Sequence, residues 1–445
     1  MSDYYGVIGN RDYIKYHGEK RPFWEFLDRQ PDGWLSSLVY MREDLPENCR
    51  MMWDCGAWSY RNEEQPKIGS NLVTPEWVLG QYVQKARPRD FVIASDHMLI
   101  PGVDLDARRA FNSHSARRFL QIAQSTDFVP MAVVHGMNLA ERIQTARDYA
   151  EMGYTALSLG GLAARASQKA LILDMVAQIR LAVPNIWLHV LGLSSPDYAA
   201  AWDELGIQSY DGSSHFKQAF TAGVFYYETG GQLTKHKAAH TERGKPEVVL
   251  EEIAAPACNC RACSLLREDG VDTRTYGSNE NNMGRAAHNM NMLMRAQQIA
   301  INGVTVLVSC VGKKQDTAAP AGDLYQSDWF KKAKVYAETV GSRWYILSAK
   351  HGLLDPSQVI APYNMTLNTM DVSERLGWAE RTIAHLRDVV PVGKVILLAG
   401  KRYRQFLLDP LIDLGYSVEV PMEGLGIGQQ LAWLNAQLMT QLSLF

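Results

Sequence analysis

Three closely spaced cysteines are the clearest chemical signal in the chain. They follow the spacing C-x-C-x₂-C and precede a histidine on the same stretch; the four residues are Cys258, Cys260, Cys263 and His288. Three thiolates and one imidazole form a closed tetrahedral set, which is the usual composition of a structural zinc site. His236 and His240 lie upstream and could supply the fourth ligand instead. We expect one structural Zn²⁺ per chain.

Three aspartates each follow a short apolar run. Asp54 follows MMW, Asp96 follows VIAS and Asp211 follows IQSY. Carboxylates at such positions can act as nucleophiles or can transfer protons. A helix N-cap in a loop is the alternative for any one of them. Three acids at equivalent positions favour a common site.

These acids need a scaffold that brings strand ends together. Apolar runs alternate with helical stretches, and we predict strands at 35–40, 51–53, 91–94, 131–134, 156–159, 186–190 and 207–210. Such alternation implies parallel pairing, because parallel strands need crossover connections. The pattern fits a (β/α)₈ barrel, in which the carboxyl ends of all strands meet on one face. It does not assign the eighth strand.

The strand and helix pattern starts again after about residue 302. VTVLVSC, RWYILSA, KVILLAG and YSVEVPM are predicted as four strands with helices between them. We therefore expect two domains: a barrel at 1–298, with a zinc-binding subdomain at about 230–298, and a C-terminal α/β domain of Rossmann-like three-layer type at 303–445.

Composition narrows the class of protein. The 445 residues are 47% hydrophobic and 10% aromatic, which argues against a disordered chain. The formal net charge is −3, so any nucleic-acid contact must come from a local basic surface. No apolar run is long enough for a membrane span, and the first residues lack the pattern of a signal peptide. We expect a cytoplasmic protein that does not bind membranes.

Five short motifs, in order along the barrel, and the zinc signature after them resemble the tRNA-guanine transglycosylase superfamily. WDCGAW is similar to its D-S-G-G-F, IASDHM to M-x-F-D-E-C, and SLGGLA to L-G-G-L-A. LHVLGLSSPD is similar to L-M-G-V-G-x-P-x-D, YDGSS to the nucleophile loop F-D-C-V, and CNCRAC…HNMNM to the zinc signature. The opening DYIKYHGEKRPFWEFLD looks closest to the branch that acts on DNA, DpdA. The resemblance implies a TIM barrel over residues 1–298.

The resemblance also implies base exchange. In this chemistry an aspartate attacks C1′, guanine leaves, and a 7-deazaguanine base such as preQ0 displaces the aspartate. By position, Asp211 would be the nucleophile, Asp54 the general acid and base, and Asp96 the acceptor for the base edge. A covalent exchange needs one carboxylate as nucleophile and a second group for proton transfer, which agrees with this assignment.

Other positions of the resemblance imply contacts with the base. Trp58 would stack on one ring face and Leu191 would lie on the other, although Trp58 could equally be an ordinary buried aromatic. Gly160 and Gly161 would let backbone amides approach the ring. His135 stands where the tRNA enzymes carry Gln, so its contact with the base edge would differ. The alternative is a structural histidine at a strand end, with its hydrogen bonds made within the protein.

The loop after the nucleophile departs from the tRNA enzymes. They carry P-T-R-x-x-R, whereas this chain reads DGSSHFKQAF, with Lys217 at the first arginine position and Phe220 at the second. The departure favours DNA as substrate, with the target base out of the stack. Lys235, Lys237 and Arg243 are further candidates for backbone contact. Exchange on tRNA and a non-catalytic nucleic-acid-binding protein are the alternatives.

The C-terminal sequence resembles an uncharacterised α/β domain of phage and bacterial proteins. The segments that carry this resemblance are SCVGKK, APAGDLYQSDWFKKAKVYA and ILSAKHGLLDP. Basic residues such as Lys313 and Lys314 follow the predicted strands, where open parallel sheets bind ligands. This placement predicts nucleic-acid binding, with solvated loop lysines as the alternative. The superfamily also implies a homodimer through the zinc subdomain, which the additional domain could block or replace.

Overall fold

The computed structural model describes residues 2–229, 232–240, 258–276 and 279–442. The chain forms two compact units. The first comprises Met1–Tyr227 with Leu233–Gln297, and the second comprises Glu228–Gln232 with Gln298–Phe445.

Eight parallel strands close into a barrel in the first unit. In chain order they are Asp3–Ile8 (β1), Gly33–Ser37 (β2), Arg50–Asp54 (β3), Phe91–Ile93 (β4), Val129–Val134 (β5), Ala156–Leu159 (β6), Trp187–Val190 (β7) and Ser209–Gly212 (β8). Each strand pairs with the next, and β8 pairs with β1 to close the sheet. The predicted TIM-type barrel is therefore confirmed. The eighth strand, which the sequence pattern did not assign, is β1.

Helices follow most of the barrel strands. The helices that begin in this unit are Pro75–Tyr82 (α1), Leu105–Ala123 (α2), Leu139–Met152 (α3), Lys169–Ala182 (α4), Pro196–Glu204 (α5), Ser214–Phe220 (α6), Arg261–Glu268 (α7) and Asn279–Asn302 (α8). Short 3₁₀ segments lie at Phe23–Phe26, Leu38–Tyr40 and Ala163–Arg165. Further short strands are Tyr13–Tyr16, Glu19–Pro22, Lys67–Ile68, Asn71–Leu72, Val224–Thr229, Gln232–Lys237, Ala239–His240 and Thr275–Tyr276.

Local sequence explains where these elements begin and end. Asn138 caps α3 by accepting a hydrogen bond from the Glu141 amide at 2.9 Å, and Gly153 ends the helix with a φ of 110°. Inside the barrel, side chains from alternate positions fill the space between the strands. They are Tyr5, Leu35, Met52, Phe91, Ile93, Met131, Val133 and Ala156. The barrel interior is thus a packed core, and ligand binding must occur at a strand end.

The second unit contains a five-stranded sheet. In chain order its strands are Val304–Ser309 (β9), Arg343–Ser348 (β10), Gly352–Leu354 (β11), Lys394–Leu398 (β12) and Ser417–Glu419 (β13), and their spatial order is β11-β10-β9-β12-β13. All pairs are parallel except β10 with β11. The predicted C-terminal α/β region is confirmed, and the antiparallel edge strand β11 is an addition to the four strands expected.

The helices of this unit are Ala321–Leu324 (α9), Asp328–Val340 (α10), Val372–Val389 (α11), Lys401–Arg404 (α12), Leu408–Asp413 (α13) and Ile427–Leu442 (α14). A two-stranded sheet joins Ala319–Pro320 to Val359–Ile360. Asp371 and Glu374 form a reciprocal capping box at the start of α11. Within the described residues of the whole chain, no helix has both the length and the apolar character that a membrane crossing requires.

Candidate active site and metal centre

The three predicted carboxylates lie at the carboxyl ends of their barrel strands. Asp54 is the last residue of β3, Asp96 follows β4 through Ala94 and Ser95, and Asp211 lies within β8. Asp96 and Asp211 are buried, with 5% and 6% of their surfaces exposed. Asp54 is close enough to both for their charges to raise its pKa. The fold therefore brings the three acids together.

The Asp211 carboxylate is held through one of its oxygens. The backbone N–H of Gly192 donates to Oδ1 at 2.8 Å, and Nε2 of His189 lies 3.2 Å from the same atom. Gly192 adopts a φ of 80°, a conformation that favours glycine. Among the described residues nothing bonds to Oδ2, so that oxygen keeps its lone pairs for a ligand.

A chain of hydrogen bonds beneath Asp211 determines the tautomer of His189. The indole Nε1–H of Trp187 donates to Ser209 Oγ at 2.9 Å, and the same hydroxyl lies 2.9 Å from His189 Nδ1. Because an indole N–H can only donate, Ser209 accepts from Trp187 and can donate its own proton to Nδ1. A neutral imidazole then carries its proton on Nε2 and donates it to Asp211.

Asp54 has a markedly different environment. Burial, and then the charge of Asp96, raises the pKa of Asp54 to about 7, and Asp211 contributes in the same direction. The Gly56 N–H donates to Oδ2 at 3.0 Å and opposes this rise. A carboxyl group with a pKa near neutrality can both donate and accept a proton at physiological pH.

Both oxygens of Asp96 have partners. Nε2 of His135 lies 2.6 Å from Oδ2, and the Cys55 thiol donates to Oδ1 at 2.9 Å. The Tyr60 hydroxyl lies 3.3 Å from the Cys55 sulfur and donates to the Asp96 carbonyl at 3.1 Å. A carboxylate oxygen can accept more than one hydrogen bond, so both oxygens of Asp96 can still accept from a ligand.

The other predicted base contacts surround these strand ends. Gly160 follows β6, and a Cβ there would lie 2.7 Å from Val133 and 2.9 Å from the His135 ring, so the close approach requires glycine. Gly161 follows with a φ of 72°. Leu191 is half-buried and packs against the barrel core.

Trp58 is 57% exposed, so its interpretation as an ordinary buried aromatic is wrong. The Arg61 guanidinium lies 4.2 Å from the centre of the Trp58 indole, and Arg61 also donates to the Trp58 carbonyl. The indole is therefore held on one side by a cation and presents aromatic surface to solvent.

The four predicted metal ligands converge. Their ligand atoms lie within 4.8 Å of one another, on Cys258, Cys260, Cys263 and His288. His288 Nε2–H donates to the Tyr226 carbonyl at 2.7 Å, which leaves Nδ1 facing the sulfurs. This second contact is typical of a metal-binding histidine, so the donor set fits one metal ion. His236 instead stacks on Phe225, and the side chain of His240 lies outside the described residues.

Comparison with known proteins finds two relatives and one family model that matches. The chain is 26% identical over 198 residues to a DNA-guanine transglycosylase from Salmonella montevideo, an alignment that covers 42% of this chain and 45% of that protein. It is 31% identical over 137 residues to the uncharacterized protein YfjM of Bacillus subtilis (strain 168), which covers 29% of this chain and 91% of YfjM. Residues 305–436 match the model of a family of unknown function, DUF6884.

The chain belongs to the YfjM family. The similarity to the Salmonella protein also supports membership of the transglycosylase superfamily, in agreement with the motifs. The chain spans about half the length of that transglycosylase.

The predicted nucleic-acid contacts lie in different settings. Lys217 is exposed on α6. In the part matched by the DUF6884 model, Lys313 is exposed, but Lys314 is half-buried and its amine lies 4.4 Å from the centre of the Tyr363 ring. The amine of Lys314 therefore lies against an aromatic ring.

Of the further candidates for backbone contact, Lys235 and Lys237 are exposed on the strand Gln232–Lys237. Arg243 lies outside the described residues.

The sequence analysis missed several members of the site. His189 lies on the same face of β7 as Leu191, since side chains alternate along a strand, and a polar residue within this apolar run was the available signal. Cys55 directly follows Asp54 in WDCGAW. Arg142 donates to the Gly160 carbonyl at 2.9 Å from helix α3, and no sequence pattern indicates such a contact.

Proposed function

We propose that the barrel exchanges guanine in DNA for a 7-deazaguanine base, such as preQ0, through a covalent intermediate on Asp211. The observation that carries this proposal is the difference between two neighbouring carboxyl groups. Asp211 accepts hydrogen bonds from Gly192 and His189 through one of its oxygens, which holds the other oxygen in place for attack. Asp54 has a pKa of about 7. Two carboxyl groups in such different environments suit a nucleophile and an acid–base partner.

In the first step Asp211 Oδ2 attacks C1′ of the target nucleoside, and the bond from C1′ to the guanine nitrogen breaks. Asp54 in its protonated form gives its proton to the departing base. The resulting ester joins Asp211 to the sugar. A 7-deazaguanine base then attacks C1′, releases Asp211 and returns a proton to Asp54. Proton and electron-pair movements balance over the two steps, and the configuration at C1′ is retained.

Asp96 would read the base edge in both steps. Its carboxylate can accept hydrogen bonds from N1–H and the 2-amino group of guanine while His135 and Cys55 hold it in place. A base without these donors would leave a buried acid poorly paired, which is a strong basis for rejection. Gly160 and Gly161 would present backbone groups to the ring.

Leu191 and Trp58 would lie against the ring faces of the base. Leu191 is half-buried beside the barrel core, and Trp58 exposes much of its indole. Aromatic stacking of this kind tolerates either guanine or its deaza analogue, because both present a flat ring surface. Discrimination would therefore come from Asp96 and the glycines.

The choice of DNA is supported by the Salmonella relative, which is named a DNA-guanine transglycosylase, and by the departure of the nucleophile loop from the tRNA enzymes. Lys217, on the helix directly after Asp211, would contact a phosphate of the substrate strand. In the second unit, Lys313 is a further candidate for contact with the nucleic-acid backbone. The sequence predicted the same contact for Lys314. The target guanine would have to leave the stack to reach the acids.

We further propose that the Cys₃His cluster holds a structural Zn²⁺. Three sulfurs and one nitrogen would complete a tetrahedral shell, which would leave no position for a water nucleophile. The four ligands would connect helix α7 with helix α8, and the ion would supply no reacting atom.

The test is nucleoside mass spectrometry. Plasmid DNA and total tRNA are isolated from cells that make the protein and are supplied with preQ0. The wild type is compared with Asp211→Ala and with Asp174→Asn, which removes an exposed acid on α4. We expect a deazaguanine deoxynucleoside with the wild type and Asp174→Asn, and none with Asp211→Ala. Signal only in tRNA would overturn the choice of DNA, and signal in neither pool would overturn base exchange with preQ0.

A further inference from the structure

The second unit has a topological switch point between β9 and β12. From β9 the chain passes to β10 on one side, and it later returns to place β12 on the other side. In open parallel sheets, ligands bind in the crevice outside the carboxyl ends of such a strand pair. Cys310 directly follows β9, and Tyr403 lies on α12, just after β12.

Polar side chains meet across this point. The Cys310 sulfur lies 3.2 Å from the Tyr403 hydroxyl. Beside them, the Tyr363 hydroxyl lies 2.8 Å from that of Tyr325 and 2.7 Å from Ser348 Oγ, at the end of β10. Burial raises the pKa of Tyr325 to about 12, so the hydroxyl stays neutral and can act as a donor. One thiol, three phenols and one serine hydroxyl therefore meet at the carboxyl end of this sheet.

Two ammonium groups face the same tyrosine. Lys314 Nζ lies 4.4 Å from the centre of the Tyr363 ring, and Lys350 Nζ lies 5.8 Å from it. Lys314 donates to the carbonyls of Val311 and Gly312 at 3.2 and 3.4 Å. An ammonium has three donors, so one remains without a partner among the described residues.

Among the described residues, no carboxylate forms an ion pair with the lysines at this edge of the sheet. In the parts of the chain that the structure describes, Lys314 and Lys350 form no ion pair with a carboxylate. The exposed Lys313 and Lys401 form none with the described residues either. Burial lowers the pKa of Lys314, and burial together with the charge of Lys350 lowers the pKa of His351. Convergent cations without a counter-charge favour an anionic ligand.

We propose that the crevice formed by Cys310, Lys314, Lys350, Tyr363 and Tyr403 is a second binding site that takes a phosphate group. Lys314 and Lys350 supply the positive charge. The hydrogen-bonded pair of Cys310 and Tyr403, and the hydrogen-bonded group around Tyr363, each keep one proton that can be donated to a phosphate oxygen. The phosphate belongs either to a small molecule or to a nucleic-acid backbone, which share this chemistry. The inference goes beyond base exchange in the barrel and does not depend on it.

Isothermal titration calorimetry on the full-length protein tests the proposal. Pyrophosphate and a short single-stranded oligodeoxynucleotide are the two probes. The variants are Lys314→Met and Lys350→Met, with Lys331→Met as the matched control, because Lys331 is exposed on α10 and forms no ion pair with the described residues. Thermal unfolding of each variant checks that it is folded.

We expect at least one probe to bind saturably to the wild type and to Lys331→Met. Lys314→Met and Lys350→Met should weaken that binding by roughly tenfold or more, as loss of a charge-assisted hydrogen bond predicts. Dependence of pyrophosphate binding alone on Lys314 identifies a small-molecule ligand, and a similar dependence for the oligonucleotide identifies a backbone phosphate. Absence of saturable binding, or equal dissociation constants for Lys314→Met and Lys331→Met, would overturn the site.

Discussion

His189 Nε2 lies 3.2 Å from Asp211 Oδ1, on the neighbouring barrel strand. The same oxygen accepts the Gly192 N–H at 2.8 Å, while nothing in the described residues bonds to Oδ2. One oxygen of the proposed nucleophile is therefore fixed by two donors, and the other is kept for attack. His189 contacts no proposed reacting atom except through Asp211, so it is a positioning residue.

Replacing His189 should slow the reaction without weakening base binding. His189→Leu keeps most of the volume but loses both hydrogen bonds, and we expect kcat to fall about 10- to 100-fold, the range for a hydrogen bond to a charged group. His189→Gln can still donate to Asp211 and accept from Ser209, so it should recover most of that loss. Steady-state kinetics with labelled guanine measures both variants.

The KM for the free base distinguishes a positioning role of His189 from a purely structural one. It should stay unchanged in both variants, because Asp96 rather than His189 is proposed to hold the base. Equal losses in the Leu and Gln variants, or a rise in KM that accounts for the whole defect, would contradict the positioning role.

The exchange rate should depend on pH through Asp54. The departing guanine needs the protonated form of this acid, whose pKa is about 7. In the wild type we expect kcat/KM to fall as the pH rises above about 7, and Asp54→Asn should have very low activity at every pH. Measuring kcat/KM at pH values from about 5.5 to about 9, on both sides of the Asp54 titration, gives this pH dependence. A wild-type rate that is flat across pH 7 would contradict the role of Asp54.

The parts of this molecule that the sequence predicted are those governed by local pattern. The strand expected at 156–159 is found at Ala156–Leu159, and the positions of Asp54, Asp96 and Asp211 at strand ends follow from the same alternation. Strand β1 was missed because the short strands Tyr13–Tyr16 and Glu19–Pro22 follow it, rather than a helix.

Contacts within the site were harder to predict, because they depend on register and side-chain direction. His189 lies opposite Ser209 in the pairing of β7 with β8, and that register brings Nε2 to Asp211. A one-residue slip would turn His189 away from the barrel interior. In the second unit, Lys314 was predicted as a nucleic-acid contact from its position after a strand, and no sequence pattern indicated that its amine lies 4.4 Å from the centre of the Tyr363 ring.

Base selectivity should depend on Asp96. In Asp96→Asn an amide N–H₂ could face the N1–H and 2-amino donors of guanine, and the pair with His135 would weaken. We expect exchange of guanine to fall on the order of 100-fold, while its preference over hypoxanthine, which lacks the 2-amino group, becomes smaller. Competition between the two labelled bases measures the preference. An unchanged preference would show that other groups read the 2-amino edge; Asp174→Asn is the control.

Loss of the metal should destabilise the first unit. Cys263→Ser removes one ligand, and we expect the protein to lose its bound zinc and its Tm to fall by roughly 10 °C, since the binding free energy of a structural ion contributes to folding. Elemental analysis and calorimetry measure the two effects. Cys49→Ser is the matched control, because Cys49 lies outside the cluster. Full zinc content in Cys263→Ser would contradict the assigned ligand set.

The raised pKa of Asp54 also predicts how stability changes with pH. Between the ordinary value of 3.8 and about 7, the folded protein keeps a proton on Asp54 that the unfolded chain has released. Stability therefore decreases as the pH rises through this window. Asp54→Asn lacks this titration, so the free energy of unfolding of the wild type relative to the variant should fall by up to about 1.4 kcal/mol per pH unit from pH 4 to 7, and level off above. Urea unfolding of both proteins at several pH values measures the difference, and a difference independent of pH would mean that Asp54 titrates normally.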